Sequence, residues 1–285
     1  MTAVPHDTPS TRLITPGPAL AACVRAYITR STLDRPLLPA DARLNHFPAS
    51  PFCSITWFIE GEALRLDAAT LAPLAPLSRV VLAGPQSQPT VSYNPGPVRA
   101  FMLLFYPHAL HRLTGIAMPD YVDRFRPLDE VFDADWQAMA QRVLQASDDE
   151  ARVAAIEQFL LPRWQQVEGQ SSALGDWVRR LTTQASSIGW GQGVRNLERR
   201  IKAWAGQPLR KLRRLRRAEA SFFDARAVSV QGENTVSWAE IAQRAGYADQ
   251  AHFCRETRAI TGLSPSGLAR AWRDEESYWI YRVWS

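Results

Sequence analysis

The chain predicts a two-domain α+β fold, a β-rich first half followed by an all-α second half, and three observations carry the prediction. Prolines at positions 36, 39, 48, 51, 73, 76, 85, 89, 95, 97 and 107 separate short apolar runs such as CSITWFIEGE, SRVVLAGPQ and VRAFMLLFYP. Such spacing belongs to strands and turns. In the second half apolar residues recur at helical spacing instead. Charge divides in the same way: residues 170–285 hold 19 Lys plus Arg against 11 Asp plus Glu, a net of +8, which leaves −3 for residues 1–169. A basic half joined to a mildly acidic one points to a polyanion-binding module attached to something with another task.

The length of 285 residues suits two domains, expected over residues 1–168 and 169–285. In the first, a sheet folded into a small barrel or sandwich fits residues 30 to 107 or so. Helices are expected to follow at His108–Leu113, Asp135–Gln145 and Asp149–Trp164, the last two forming a bundle or a dimer contact. The aromatic residues Trp57, Phe58, Tyr93, Phe101, Phe105 and Tyr106 either fill the core of this sheet or line a cavity in it.

The second half is most informative from Trp238 to Pro265, WAEIAQRAGYADQAHFCRETRAITGLSP. Ser237 and Glu240 form a capping box, which starts a helix near Trp238. Ile241, Ala242 and Ala245 give that helix an apolar stripe, and Gly246 supplies the backbone freedom for a reversal. Tyr247 anchors the turn. Asp249 caps a second helix, which Gly262, Ser264 and Pro265 end. At about 100° per residue, Phe253, Thr257 and Ile260 face inward, while Ala251, Arg255 and Arg258 face out. Gln250 and His252 stand at the helix N-terminus, where a recognition helix meets base edges. Gln pairs with adenine and Arg with guanine through two hydrogen bonds each. A solvated amphipathic helix in an all-helical domain is the plainer reading of the same periodicity.

A shift of 56 positions lays LERRIKAWAGQPLRKLRR, from Leu197, over FCRETRAITGLSPSGLAR, from Phe253. One supersecondary unit is thus expected twice. In the earlier copy Leu197, Ile201 and Trp204 would be buried, with Arg195, Arg199 and Lys202 outward. Between the copies, Leu209, Leu212 and Leu215 can pack inward, while Arg210, Lys211, Arg213, Arg214, Arg216 and Arg217 surround them. Six basic residues in nine without an acid are read as phosphate contacts. Two such helices could enter successive major grooves about 34 Å apart.

The strings AEIAQRAGYADQAHFCRE and TGLSP resemble the arabinose-regulator (AraC) family of bacterial transcription factors, whose C-terminal domain holds two helix-turn-helix units joined by a long helix. The resemblance covers roughly the last 110 residues. On the family pattern, base-reading positions fall at Gln250, Ala251, His252, Cys254 and Arg255 in the second unit. In the first they fall at Arg195, Asn196, Glu198 and Arg199, and Arg210 on the connecting helix joins the DNA-binding residues as a phosphate contact. One departure stands out: Ala185 to Gly193, ASSIGWGQG, lacks the pattern of an entry helix, and a helix over Leu174–Gln184 is expected to serve. In the first half, SPFCSITWFIEGE, AGPQSQPTVSYNPGPVRAFMLLFYPHALHRLTG and VDRFRPLDEVF look like a recurrent N-terminal domain found with this DNA-binding half, and the family implies a cupin-like sensor or dimerisation domain.

The implied function is a sequence-specific transcription regulator that binds double-stranded DNA, with a small-molecule effector, a second copy of the chain and RNA polymerase as further partners. Neither catalysis nor a cofactor is expected. Asp129 and Glu130 follow a Pro-Leu turn, and Asp148, Asp149 and Glu150 read as a helix N-terminus. His46 stands alone while His108 and His111 fall on a helix, unlike a cupin metal site. The three cysteines, Cys23, Cys53 and Cys254, give neither a disulfide framework nor a zinc motif. Without an apolar run of membrane-spanning length or a secretory signal, the chain is expected in the cytoplasm. The alternative class is a small-molecule-binding protein or enzyme whose basic helical domain serves another role.

Overall fold

The computed structural model describes residues 10–168, 182–183, 194–230 and 237–283. Among them ten strands form two antiparallel sheets. The larger holds β1 (Ser10–Ile14), β2 (Val24–Ser31), β4 (Cys53–Glu60), β7 (Val80–Ala83), β9 (Arg99–Phe105) and β10 (Phe125–Pro127), in the order β1-β2-β9-β4-β7-β10. The smaller holds β3 (Leu44–Phe47), β5 (Leu64–Leu66), β6 (Pro73–Pro76) and β8 (Thr90–Tyr93), in the order β3-β8-β5-β6. Of the two alternatives, barrel and sandwich, the sandwich describes these ladders, because the strands do not close into one ring. The sheet also extends beyond the expected 30–107. Outside that range lie the short edge strands β1 and β10 and nearly all of β2, a buried interior strand between β1 and β9 that no proline brackets in the way that the other central strands are bracketed.

Two-residue alternation divides the larger sheet into two working faces. In β4 and β9, Cys53, Ile55, Trp57, Phe101, Leu103 and Phe105 belong to a core shared with helices. Their neighbours Ser54, Thr56, Phe58, Ala100, Met102 and Leu104 turn toward the smaller sheet. The helices are α1 (Pro107–Thr114), α2 (Ala134–Gln145) and α3 (Asp149–Glu168), close to the expected ranges. Asp133 caps α2 by accepting from the backbone N–H of Asp135 and Trp136. Trp57 donates from Nε1 to the Ala140 carbonyl at 3.2 Å, pinning α2 to the sheet. The strand aromatics Trp57, Phe101 and Phe105 therefore fill the core, and of the six named above Phe58 lines the cavity.

The described residues of the second half form helices joined by short turns: α4 (Val194–Ala205), α5 (Leu209–Val230), α6 (Trp238–Arg244), α7 (Gln250–Thr261) and α8 (Pro265–Asp274), then a 3-10 turn at Glu276–Tyr278 and α9 (Ile280–Val283). The expected entry helix at Leu174–Gln184 and the stretch Ala185–Gly193 lie outside the described residues, apart from Thr182 and Thr183, which are helical.

The halves pack on one another. Ile201, Ala205, Leu209 and Leu212 bury a cluster with Phe52 of the first half. Gly206, with φ +74°, ends α4 where a Cβ would lie 2.9 Å from Val122 Cγ2 and 3.0 Å from the Met118 carbonyl oxygen. Ala49 donates its backbone N–H to the Ile260 carbonyl at 2.7 Å. Ile28 and Met102 of the sheet share one apolar cluster with Ile241, Phe253, Trp272 and Trp279.

Candidate nucleic-acid interface

The second unit is built by local chemistry. Ser237 Oγ accepts from the Glu240 backbone N–H at 3.4 Å, which starts α6, and Ile241 and Ala242 bury its inner face. Gly246 turns the chain with φ +73°, and a Cβ there would meet nothing within 4 Å, so conformation rather than space requires the glycine. Tyr247 then packs on Phe253, with ring centroids 5.0 Å apart. Asp249 Oδ1 accepts from the His252 backbone N–H at 2.6 Å and opens α7.

On α7 Phe253, Thr257 and Ile260 are buried, whereas Gln250, Ala251, Arg255 and Arg258 are exposed. That is the division read from the periodicity. His252 and Cys254 are half-buried, His252 standing edge-on to Tyr247 with its Nε2 3.5 Å from Glu256. On α4 Arg195, Glu198, Arg199 and Lys202 are exposed and Asn196 is half-buried, while Ile201 is buried and Leu197 and Trp204 pack beside it. Both helices thus present a mainly basic outer face.

The connecting helix α5 sorts its charges with a period of three. Leu209, Leu212, Leu215 and Ala218 are buried; Arg210, Arg213 and Arg216 are exposed; Lys211, Arg214 and Arg217 lie between. The intermediate row has partners within the protein. Lys211 donates to the Ser87 carbonyl at 2.9 Å, and desolvation holds its pKa below the usual lysine value. Arg214 and Arg217 approach the Glu256 carboxylate at 3.1 and 3.0 Å. Arg217 also lies 4.3 Å over the Tyr247 ring. These three therefore divide their charge between partners far away in sequence and the open groove that they also line, a division that the run of six basic residues does not show.

Glu256 is the residue that the sequence reading missed. It is an acid on the otherwise basic helix, one step from the buried Thr257, and that placement is its only signal in the sequence. Burial and the Glu256 charge push the Tyr247 phenol up to about 12, so it stays neutral.

An open groove runs along α5, lined among others by Glu198, Arg210, Arg213, Arg214, Arg217 and Glu256; of the site residues expected from the sequence it holds Glu198 and Arg210, while Gln250 to Arg255 on α7 and Arg195, Asn196 and Arg199 on α4 lie outside its lining. The first unit, the connecting helix and the second unit therefore border one surface.

A second site lies between the sheets. A cavity of about 170 Å³ is lined by Ile28, Phe47, Phe58 and Met102, by the polar Arg30, Asn45, Gln86 and Asn94, and by Trp279 and Ile280 from the far end of the chain. Among the described residues no group of three His, Cys, Asp or Glu side chains is placed to hold a metal. His46 stacks on Tyr278, with centroids 4.4 Å apart, and His111 Nδ1 lies 2.8 Å from the Ile116 carbonyl oxygen. Among the described residues no helix is long and apolar enough to cross a membrane.

Comparison with known proteins gives two family matches. Residues 233–267 match the bacterial regulatory helix-turn-helix proteins of the AraC family, and residues 12–127 match a domain of unknown function, DUF6597. No curated protein matches the chain. Similar solved structures include the regulator ToxT of Vibrio cholerae. An apo ToxT variant is 14% identical, covering 84% of this chain and 95% of that one with a TM-score of 0.36. ToxT with bound unsaturated fatty acid is 14% identical, covering 79% and 92% at 0.34. A further ToxT crystal form is 11% identical, covering 91% and 97% at 0.34. With Ser237-capped α6, the Gly246 turn and the basic α7 inside the first of these matches, the chain carries an AraC-family helix-turn-helix domain behind a DUF6597 domain and is a DNA-binding transcription regulator.

Proposed function

We propose that this regulator reads duplex DNA through both helix-turn-helix units and acts in the cytoplasm, without catalysis of its own. The supporting observation is the shared groove that borders α4, α5 and α7. In this reading Gln250 and Arg255 read base edges, with Ala251, His252 and Cys254 beside them on the N-terminal half of α7. Arg195, Asn196 and Arg199 do the same from α4, Arg210 grips phosphate, and the boundary between the domains falls near residue 168. The inter-sheet cavity is the effector site, which couples the first half to DNA affinity; a second copy of the chain and RNA polymerase complete the partners. Selection of bound sequences from random DNA, followed by titration at several salt concentrations, tests it. A steep salt dependence with a sequence-specific component is expected. Arg255→Ala should cost about 1–3 kcal/mol at one position of the selected site and relax specificity there. Unchanged specific binding by that variant would remove α7 from the base-reading role.

A further inference from the structure

We propose that the segment from Glu276 to Val283 is a tethered occupant of the inter-sheet cavity, and that the cavity takes a planar aromatic carboxylate whose binding displaces it. The inference rests on reading that cavity as the effector site.

The segment meets the cavity through Trp279 and Ile280, which line it, and holds the lining residue Arg30 with two groups. Trp279 supplies a ring: its Nε1 donates to Asn45 Oδ1 at 2.8 Å, Phe47 meets it edge-on at 5.8 Å and 88°, and the Arg30 guanidinium lies 4.6 Å over it. Glu276, just outside the lining, supplies an anion: its Oε1 accepts from Arg30 Nη1 at 2.8 Å, while its Oε2 accepts from Arg282 Nη2 at 2.6 Å. Arg30 is 3% exposed, so a molecule that takes the place of Glu276 has to bring its own negative charge. The ring position asks for a flat π-face under the guanidinium. Gln86, which lines the same cavity, keeps a buried Oε1 with no hydrogen-bond partner. It is an acceptor for a donor on the incoming molecule.

Size argues for displacement rather than coexistence. At about 170 Å³ the cavity is below the ~300 Å³ at which small-molecule pockets begin. Withdrawing Trp279 and Ile280 enlarges it. The same two side chains belong to the apolar cluster that holds Trp272 and Phe253. Phe253 is the inner anchor of α7, so release of the segment removes support from the helix that faces DNA.

The test uses the full chain with indole-3-acetate, whose ring and carboxylate reproduce those of Trp279 and Glu276, and with indole as the uncharged control. Binding is measured by calorimetry for the wild type, Trp279→Ala and Glu276→Gln, alongside hydrogen exchange of residues 276–283. Indole-3-acetate is expected to bind the wild type more tightly than indole does and to raise exchange in 276–283. Trp279→Ala should bind it about tenfold more tightly, because no population is spent on the docked segment. Glu276→Gln keeps the ring and the residue's shape and should tighten binding by a smaller factor, which preserves the test if Trp279→Ala does not fold. Equal binding by wild type and Glu276→Gln, with 276–283 still protected, would overturn the displacement while leaving the effector cavity standing. No binding by any of the three proteins would overturn both.

Discussion

Glu256 on α7 accepts from Arg217 Nη2 at both carboxylate oxygens, at 3.0 and 3.1 Å, and so locks α7 to the connecting helix α5 across 39 residues of sequence. Arg214 joins the same carboxylate at 3.1 Å. One acid thus orients α7 and neutralises two cations of α5.

Removing that acid leaves two cations side by side against α7. Glu256 is 7% exposed but its partners are partly solvated, so Glu256→Gln is expected to cost about 1–2 kcal/mol. For a chain of this size that lowers the melting temperature by roughly 2–4 °C per kcal/mol. An unchanged thermal melt would mean that the pairing does not set the stability of α7 on α5.

The exposed and intermediate rows of α5 should separate in a salt titration. Arg213→Ala is expected to reduce the slope of log K against log salt by about 0.9, because one phosphate contact and its counterions are lost. Arg217→Ala should chiefly lower the melting temperature through loss of the Glu256 pair and of its stacking on Tyr247. Equal slope changes in the two variants would refute the sorting by burial.

Two glycines with nearly the same backbone offer a matched pair. Gly206 and Gly246 have φ +74° and +73°, but a Cβ would collide with Met118 and Val122 only at Gly206. Gly246→Ala should cost on the order of 1 kcal/mol for the left-handed backbone. Gly206→Ala should cost clearly more, since the helix end must also lift off the first domain. Denaturant midpoints of the two variants decide the comparison.

Acidification should loosen the seat of the C-terminal segment through His46, which stacks on Tyr278. Burial lowers its pKa from the ordinary 6.5. Below that value the unfolded chain binds a proton that the folded one does not, so stability present above pH 6.5 is lost as the pH falls toward the folded pKa. Thermal melts between pH 7.5 and about 5 should show this loss, and His46→Gln should flatten it. A His46→Gln variant with the wild-type pH profile would place the titration elsewhere.

The helix-turn-helix was legible because its instructions are local. The bonds from Glu240 to Ser237 and from His252 to Asp249 span three residues each, and the Phe253, Thr257 and Ile260 stripe repeats within one helix. The N-terminal sheet was legible in β4 and β9, where Trp57, Phe101 and Phe105 alternate with their neighbours, but not in the interior strand β2, which precedes the expected range. Its edge strands β1 and β10 are defined by the partners they join, so their own residues announce little.

By itself, then, the sequence determined the caps, the turn glycines, the inward and outward faces of α4 and α7, and the two-domain division of charge, since each depends on residues a few positions apart. Only the tertiary structure decided which arginines of α5 remain exposed, that Glu256 binds two of them, and that Trp279 reaches Asn45 across 234 residues to close the cavity. Such pairs form when folding brings distant side chains within a few ångströms, and no periodicity along the chain records that distance.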